Sequence, residues 1–324
     1  MNLTLLCYVE ELISFTYAVS SITFISNVAI GLIHFSLATF FITTQILLFI
    51  SFHKIPKKRF HNSPLPLMRH HGIISFIQQL FHLVTSIKTI FFMIWRPIYI
   101  EIIGAILEAA YVSSIIFILI LSLNRCDLMY NYKFFPSVPR KKFYSIAAIL
   151  CYVYFCLMIC FFLLPGNRIL FDLKNYEWAF VVSECQDYYG GFVKRWVVYI
   201  PLIVSFLLYV LTFYKIIYLR SFKQKSTYLY PEDIKIIINI VMTYALIIAV
   251  EICWNLYFFD IYVTELGALI PQILFIIISG ANTTFTLFFV RDIRRSVFGG
   301  CCSKSIISVS ILGNTQIKKI NVMS

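Results

Sequence analysis

The chain has 324 residues, 60% hydrophobic, 18% aromatic and 13% charged, with a formal net charge of +12. Soluble globular chains carry about 25% charged residues, so this sequence cannot cover a water-facing surface and reads as a polytopic membrane protein built from spans of ~20 residues. Its cations fall between apolar stretches, which makes them topology determinants rather than a nucleic-acid footprint, and its nine scattered cysteines show no CxxC or Cys/His spacing of a metal site.

Nothing charged falls between Glu11 and Lys54. That run is too long for one helix and barely long enough for two. We place one span at about Asn27 to Phe52, after an apolar outer segment at residues 1–26; the alternative is a tight hairpin, which would make eight spans. Glu10 and Glu11, with no basic n-region, argue against a signal peptide. A basic loop from His53 to His71, broken by Pro56, Pro64 and Pro66, leads to a second span, Gly72 to Trp95. The third runs from about Tyr99 to Leu123 and opens into a cationic loop with Lys133, Arg140, Lys141 and Lys142. The fourth, Tyr144 to Leu164, stops at Pro165-Gly166, and a mixed loop covers Asn167 to Arg195. Spans five, six and seven are Trp196 to Leu219, Ile234 to Phe259 and Leu266 to Val290, and Arg291 to Phe298 reads as a short amphipathic helix closed by Gly299-Gly300. The expected architecture is all-α, a seven-transmembrane helix bundle over residues 27–290, a short cytoplasmic eighth helix within 291–300 and a Ser-rich tail at 301–324.

Lysines and arginines set the orientation. Segments 53–71, 124–142, 215–235 and 291–319 carry five, five, five and six, which sum to 21, against five in the opposite set (Arg96, Arg168, Lys174, Lys194 and Arg195). The rich set is therefore expected in the cytoplasm and the N-terminus outside, which requires an odd number of spans. Asn2-Leu3-Thr4 is then a glycosylation acceptor on the outer side. Cys301 and Cys302, after a basic helix at the inner interface, have the setting of reversible palmitoylation, with unmodified thiols as the other reading.

Ionisable groups inside spans cost ~2.5–3.5 kcal/mol each on insertion scales and tend to face the bundle interior. From the helix rise, Lys88 lies about 10 Å deep in span two, Glu108 about 13 Å deep in span three and Glu251 about 10 Å deep in span six. Gln272 falls at a similar depth in span seven. Two readings stand. One is an outward-opening ligand pocket walled by Tyr111, Trp254 and Asn255. The other is a structural Lys88–Glu108 pair that leaves one acid over, for which a ligand amine or hydrogen-bond donor would be the partner. His82, with no partner at helical spacing, reads as a hydrogen-bonded core histidine. Arg125 is either an interfacial arginine or a switch that holds inner helix ends together.

Leu123-Asn124-Arg125 resembles the arginine motif ending the third helix of rhodopsin-like G-protein-coupled receptors, with Asn124 where the acid usually stands. Asn282-Thr283-Thr284-Phe285-Thr286, followed by Ile293-Arg294, is similar to their seventh-helix motif running into helix eight; Thr283 takes the place of its proline and Thr286 that of its tyrosine. Cys253-Trp254 resembles the sixth-helix pair without its proline. With the stretches Met68 to Leu80 and Ser122 to Asp127, these residues resemble the nematode serpentine chemoreceptors, class T among them, over about residues 27–300. The resemblance implies an odorant-like small-molecule ligand, a heterotrimeric G protein as partner, no cofactor, and a place in the plasma membrane, sensory cilia included. It implies coupling roles for Asn124, Arg125, Asn282 and Arg294. The family's usual third-helix cysteine is missing, so a Cys7–Cys185 bridge and a lone Cys185 thiol both stay open. The missing motif prolines remove the usual hinge sites. No lysine occurs from Leu266 to Val290, which excludes a seventh-helix Schiff base.

A multi-pass transporter or ligand-gated channel is the alternative, and it would show repeat symmetry or spans broken at the midplane. An intramembrane enzyme would need a nucleophile–base pair or clustered metal ligands. Neither pattern is visible.

Overall fold

A computed structural model describes residues 25–56, 65–93, 95–130, 138–173, 176–181, 189–222, 231–255 and 265–298. It consists of α1 (Asn27–Lys54), α2 (Leu65–Phe91), α3 (Pro97–Tyr130), α4 (Arg140–Leu163), a hairpin of β1 (Ile169–Asp172) and β2 (Glu177–Phe180), α5 (Gly190–Phe222), α6 (Pro231–Asn255), α7 (Glu265–Phe289) and α8 (Arg291–Phe298). Six of the helices are long and apolar enough to cross a bilayer, and α6 adds the shorter apolar stretch Val241–Trp254. Asn2, Cys7, Cys185, Cys301 and Cys302 lie outside the described residues.

The outward faces identify the solvent. Leu150 and Leu157 on α4 are 61% and 62% exposed, and Ile203 and Leu207 on α5 are 59% and 55%. Such faces are stable against lipid, where helices satisfy their own backbone groups. α3 is the opposite case. Every residue from Leu107 to Ser113 is buried, two full turns of a 3.6-residue helix, so α3 is enclosed on all sides and is the axis of the bundle.

α1 begins where expected, capped by the Ser26 hydroxyl, which accepts from the Ala29 amide at 3.3 Å. It continues unbroken to Lys54, close to the expected span from Asn27 to Phe52; residues 1–24, on which the eight-span alternative depends, lie outside the described residues. α7 and α8 also lie close to their expected limits. Several boundaries differ. α3 runs on to Tyr130 instead of Leu123 and α4 starts at Arg140 instead of Tyr144, so both helices extend into the expected cationic loop. α2 starts at Leu65 instead of Gly72, because Pro66 falls in the first turn, where its missing N–H costs nothing. It ends at Phe91 instead of Trp95, in a left-handed residue (Phe92, φ 48°): the Met93 amide donates to the Lys88 carbonyl and the Phe92 amide to Thr89, a Schellman closure. α5 starts at Gly190 instead of Trp196, which takes Lys194 and Arg195 out of the expected loop and into the helix.

The expected 167–195 loop holds the antiparallel hairpin, paired Ile169↔Phe180 through Asp172↔Glu177. Ile169, Leu170, Phe171, Leu173, Tyr176 and Trp178 are all buried and belong to one core with Tyr111 and Phe275 of the helices. The hairpin is therefore an interior element that roofs one end of the bundle. Arg168 reaches Glu101 at the start of α3 at 3.3 Å, and the Tyr176 hydroxyl donates to Asn27 at the start of α1. β1 lies against α3 at Gly104. A Cβ there would collide with the Ile169 carbonyl oxygen and stand 2.9 Å from the Trp178 ring. At the opposite end, α8 docks through buried Ile293 among Leu48, Phe52 and Leu287.

Gly104→Ala should therefore lower the melting temperature of the detergent-purified protein, since overpacking typically costs about 1–3 kcal/mol. Ile149→Ala, on the lipid-facing side of α4, should leave it nearly unchanged. Equal melting of both variants would show that the roof is not seated on α3.

Candidate functional site

Beneath the hairpin, the helices bring together ionisable and aromatic side chains at membrane depth. Glu108 of α3 and Lys194 of α5 form an ion pair, Oε1 to Nζ 2.6 Å, with side chains 2% and 10% exposed. The expected Lys88–Glu108 pair does not form, because Lys194, assigned to a loop by its charge, lies inside α5. The Lys194 amine is boxed by aromatic faces: Trp254 of α6 at 3.7 Å from the ring centroid, Phe180 of β2 at 5.6 Å and Tyr111 of α3 at 5.7 Å. Ring quadrupoles present negative faces to a cation, at ~2 kcal/mol or more when desolvated. The Tyr111 hydroxyl donates to Glu251 of α6 at 2.8 Å. Tyr111, Trp254 and Phe275 of α7 meet edge to face, with centroids 4.8–5.6 Å apart.

Of the residues expected in a pocket, Tyr111 meets Glu251 and Trp254 directly, and Glu108 joins them through Lys194. Gln272 is buried on α7 at 2% exposure. Asn255 closes α6, and its side chain lies outside the described residues. Lys88 is in the last turn of α2, nearer the helix end than its expected depth, and 2% exposed; its amine lies 5.4 Å from the centroid of Phe171. His82 packs edge-on against Phe275 at 4.9 Å, with both ring nitrogens buried and without a hydrogen-bond partner, contrary to the hydrogen-bonded reading.

Sequence reasoning missed Lys194 and the roof residues Phe171 and Phe180. A signal for Lys194 existed: Lys194, Val198, Leu202 and Ser205 recur at helical spacing and are all buried. For the hairpin, the alternation in Ile169–Phe180 is obscured because both faces are covered.

A second constellation lies at the α8 end. Arg125 is over the Tyr209 ring at 5.8 Å, and its Nη1 is buried without a hydrogen-bond partner. Asn124 is buried beside it, with its Oδ1 unpartnered. The nearby acid, Asp127, is held by Arg140 at 2.8 Å and accepts from the Tyr144 hydroxyl at 3.4 Å. Among the described residues Arg125 therefore has no ion pair. It lines a cavity of about 30 Å³ with Tyr209, Thr243, Tyr244, Asn282 and Thr286, room for about two waters. Asn282 reaches His71 at 3.4 Å. Arg294, on α8, is exposed and donates to the Phe288 carbonyl at 3.4 Å.

Breaking a buried ion pair by removing one partner typically costs about 3–5 kcal/mol, because the other charge is stranded. Lys194→Met and Glu108→Gln should each reduce surface expression, and the double variant should recover much of it. Lys88→Met combined with Glu108→Gln should recover none. Recovery by the Lys88 combination alone would contradict the observed pairing.

No curated protein matches the sequence. Residues 35–289 match the family model described as serpentine type 7TM GPCR chemoreceptor Srx; the match does not show the class T membership expected from local motifs. It covers most of the chain, from the first helix to the end of the seventh, and its family is one of receptors rather than enzymes. The match over residues 35–289 agrees with the helical membrane bundle, and the chain belongs to the serpentine type 7TM GPCR chemoreceptor Srx family.

Proposed function

We propose that this protein is a chemosensory receptor of the plasma membrane that binds a small molecule beneath the hairpin and signals through a heterotrimeric G protein. In this reading the N-terminus and the hairpin face outward, and α8 and the tail face the cytoplasm. The cation bias supports that orientation, since Lys54, Arg69, Arg125, Arg140, Lys215 and Arg294 all belong to the α8 side. The ligand-binding residues would be Lys88, Glu108, Tyr111, Glu251, Trp254, Asn255 and Gln272. Cys301 and Cys302, if acylated, would add a second membrane attachment after α8.

Arg125 is the observation that supports signalling best. In this reading a half-buried arginine with one buried, unpartnered guanidinium nitrogen, beside a water-sized cavity, is a group whose partner arrives from outside the resting bundle. The cavity is far too small for a partner helix, which is about 10–12 Å across with its side chains. In this reading the conformation is the closed one, and coupling moves α6 away from α3 and α5. Contacts that hold it are the Ser205–Tyr244 hydrogen bond and the edge-to-face Tyr209–Tyr244 pair at 6.0 Å. At the other end, the Tyr111–Glu251 bond and the Lys194–Trp254 contact tie the same α6 to α3 and α5. A ligand that alters those two contacts biases the position of α6, and can shift the equilibrium only by its differential affinity for the two arrangements.

Two outcomes test the proposal. Arg125→Ala should abolish agonist-evoked G-protein activation while surface expression and ligand binding persist; undiminished signalling would remove Arg125 from the coupling machinery. Glu251→Gln should express normally and shift agonist potency tenfold or more, about 1.4 kcal/mol. Unchanged potency would place this acid outside the binding site, and ligand-evoked ion flux in cells lacking G proteins would favour a channel instead.

A further inference from the structure

The charge pattern beneath the roof indicates what kind of ligand would fit. Each acid there has a partner of its own. Glu108 has Lys194 at 2.6 Å, Glu101 has Arg168 at 3.3 Å, and Glu251 accepts from Tyr111. Lys88 is the exception. It is 2% exposed, and among the described residues no carboxylate lies within ion-pairing distance of its amine. Its neighbour is the face of Phe171, at 5.4 Å. The cation–π contact and the C-terminal end of α2 each offset only part of the cost of removing an ammonium from water, which stays high even after relaxation. The described surroundings therefore leave this cation under-compensated, whereas the acids are compensated. This reverses the expectation that an acid would be left over.

We propose that Lys88 is the anchor for an anionic ligand, a small organic carboxylate, which binds beneath the β1–β2 hairpin with its carboxylate against the Lys88 amine and its apolar portion among Phe171, Phe275 and Trp254. This rests on the receptor reading above and gives its ligand a chemical class. An organic acid suits the place on two counts. The carboxylate supplies a charge-assisted hydrogen bond, and the Phe171 ring beside the amine, in one apolar core with Phe275 and Trp254, accepts hydrocarbon. A ligand amine placed against Lys88 would face a like charge, and Glu108, Glu101 and Glu251 are already engaged.

The test uses the full-length protein, purified in detergent in chloride-free methanesulfonate buffer. Thermal shift is measured with straight-chain monocarboxylates of two to ten carbons, and with the methyl ester and primary amine of each. Acids should raise the melting temperature in a chain-length-dependent way, and esters and amines should not. Lys88→Met should weaken the effect at least tenfold in concentration, and Lys88→Arg should keep most of it. If no acid shifts the wild-type protein, or if esters or amines match the acids, the proposal fails without any need of a variant. A full shift from chloride alone would assign the amine to an inorganic ion and overturn it as well. A parallel G-protein assay in cells separates this from the receptor reading. Signalling evoked by neutral odorants but by no acid would keep the receptor and discard the carboxylate. Acid-specific, Lys88-dependent stabilisation without signalling would keep the carboxylate site and discard the signalling role.

Discussion

The Glu108–Lys194 pair is the constraint on which the hairpin end of the bundle depends. Two opposite charges at this depth are tolerable only if they meet, and meeting requires α5 to continue helically past its apolar stretch to Gly190. That continuation carries Lys194 against Trp254 and Phe180, so one ammonium gathers α3, α5, α6 and the hairpin around itself. Tyr111, one helical turn from Glu108, adds α6 and α7 through Glu251 and Phe275. Replacing a buried ion pair with apolar groups of similar volume is often neutral for stability. What the pair supplies is a single register among helices whose lipid-like faces would otherwise slide with little penalty.

α3 links this layer to the opposite end. It begins at the Glu101–Arg168 contact, passes through Glu108 and Tyr111, and ends in Asn124, Arg125 and Asp127. Its enclosed middle turns leave it little freedom to move. α6 meets its neighbours at both ends through breakable polar and aromatic contacts, with α3 and α5 beneath the hairpin and with α5 at Ser205 and Tyr209, so in the proposed reading α6 is the mobile element.

Much of this was readable from the sequence where local chemistry fixes the chain. Ser26 sets the start of α1, Pro165-Gly166 stops α4, and the amphipathic Arg291–Phe298 forms α8. Reading failed where polarity was taken for exposure. Lys194 and Arg195 looked like loop residues because a charge in an apolar run usually marks its end, and nothing local in the sequence shows that Glu108 waits opposite. The Ile169–Phe180 hairpin reads as loop for the same reason. Inner faces were hard to identify for a further reason. In water the apolar stripe of a helix marks its buried side, but in a bilayer both sides are apolar and only scattered polar or small residues distinguish them. Glu108, Tyr111, Glu251 and Trp254 could be grouped by depth alone, whereas choosing Lys194 over Lys88 as the partner required the side-chain geometry.

The hairpin has a consequence for time resolution. It is pinned at Glu101 and at Asn27 and seated on Gly104, so a molecule lodged beneath it leaves only when several contacts open together. In such an arrangement the roof limits both entry and escape, and residence time is set by the frequency of roof opening as much as by the ligand's own contacts. A sensor built this way averages over its opening interval: brief fluctuations in concentration are smoothed, and a sustained background is what registers.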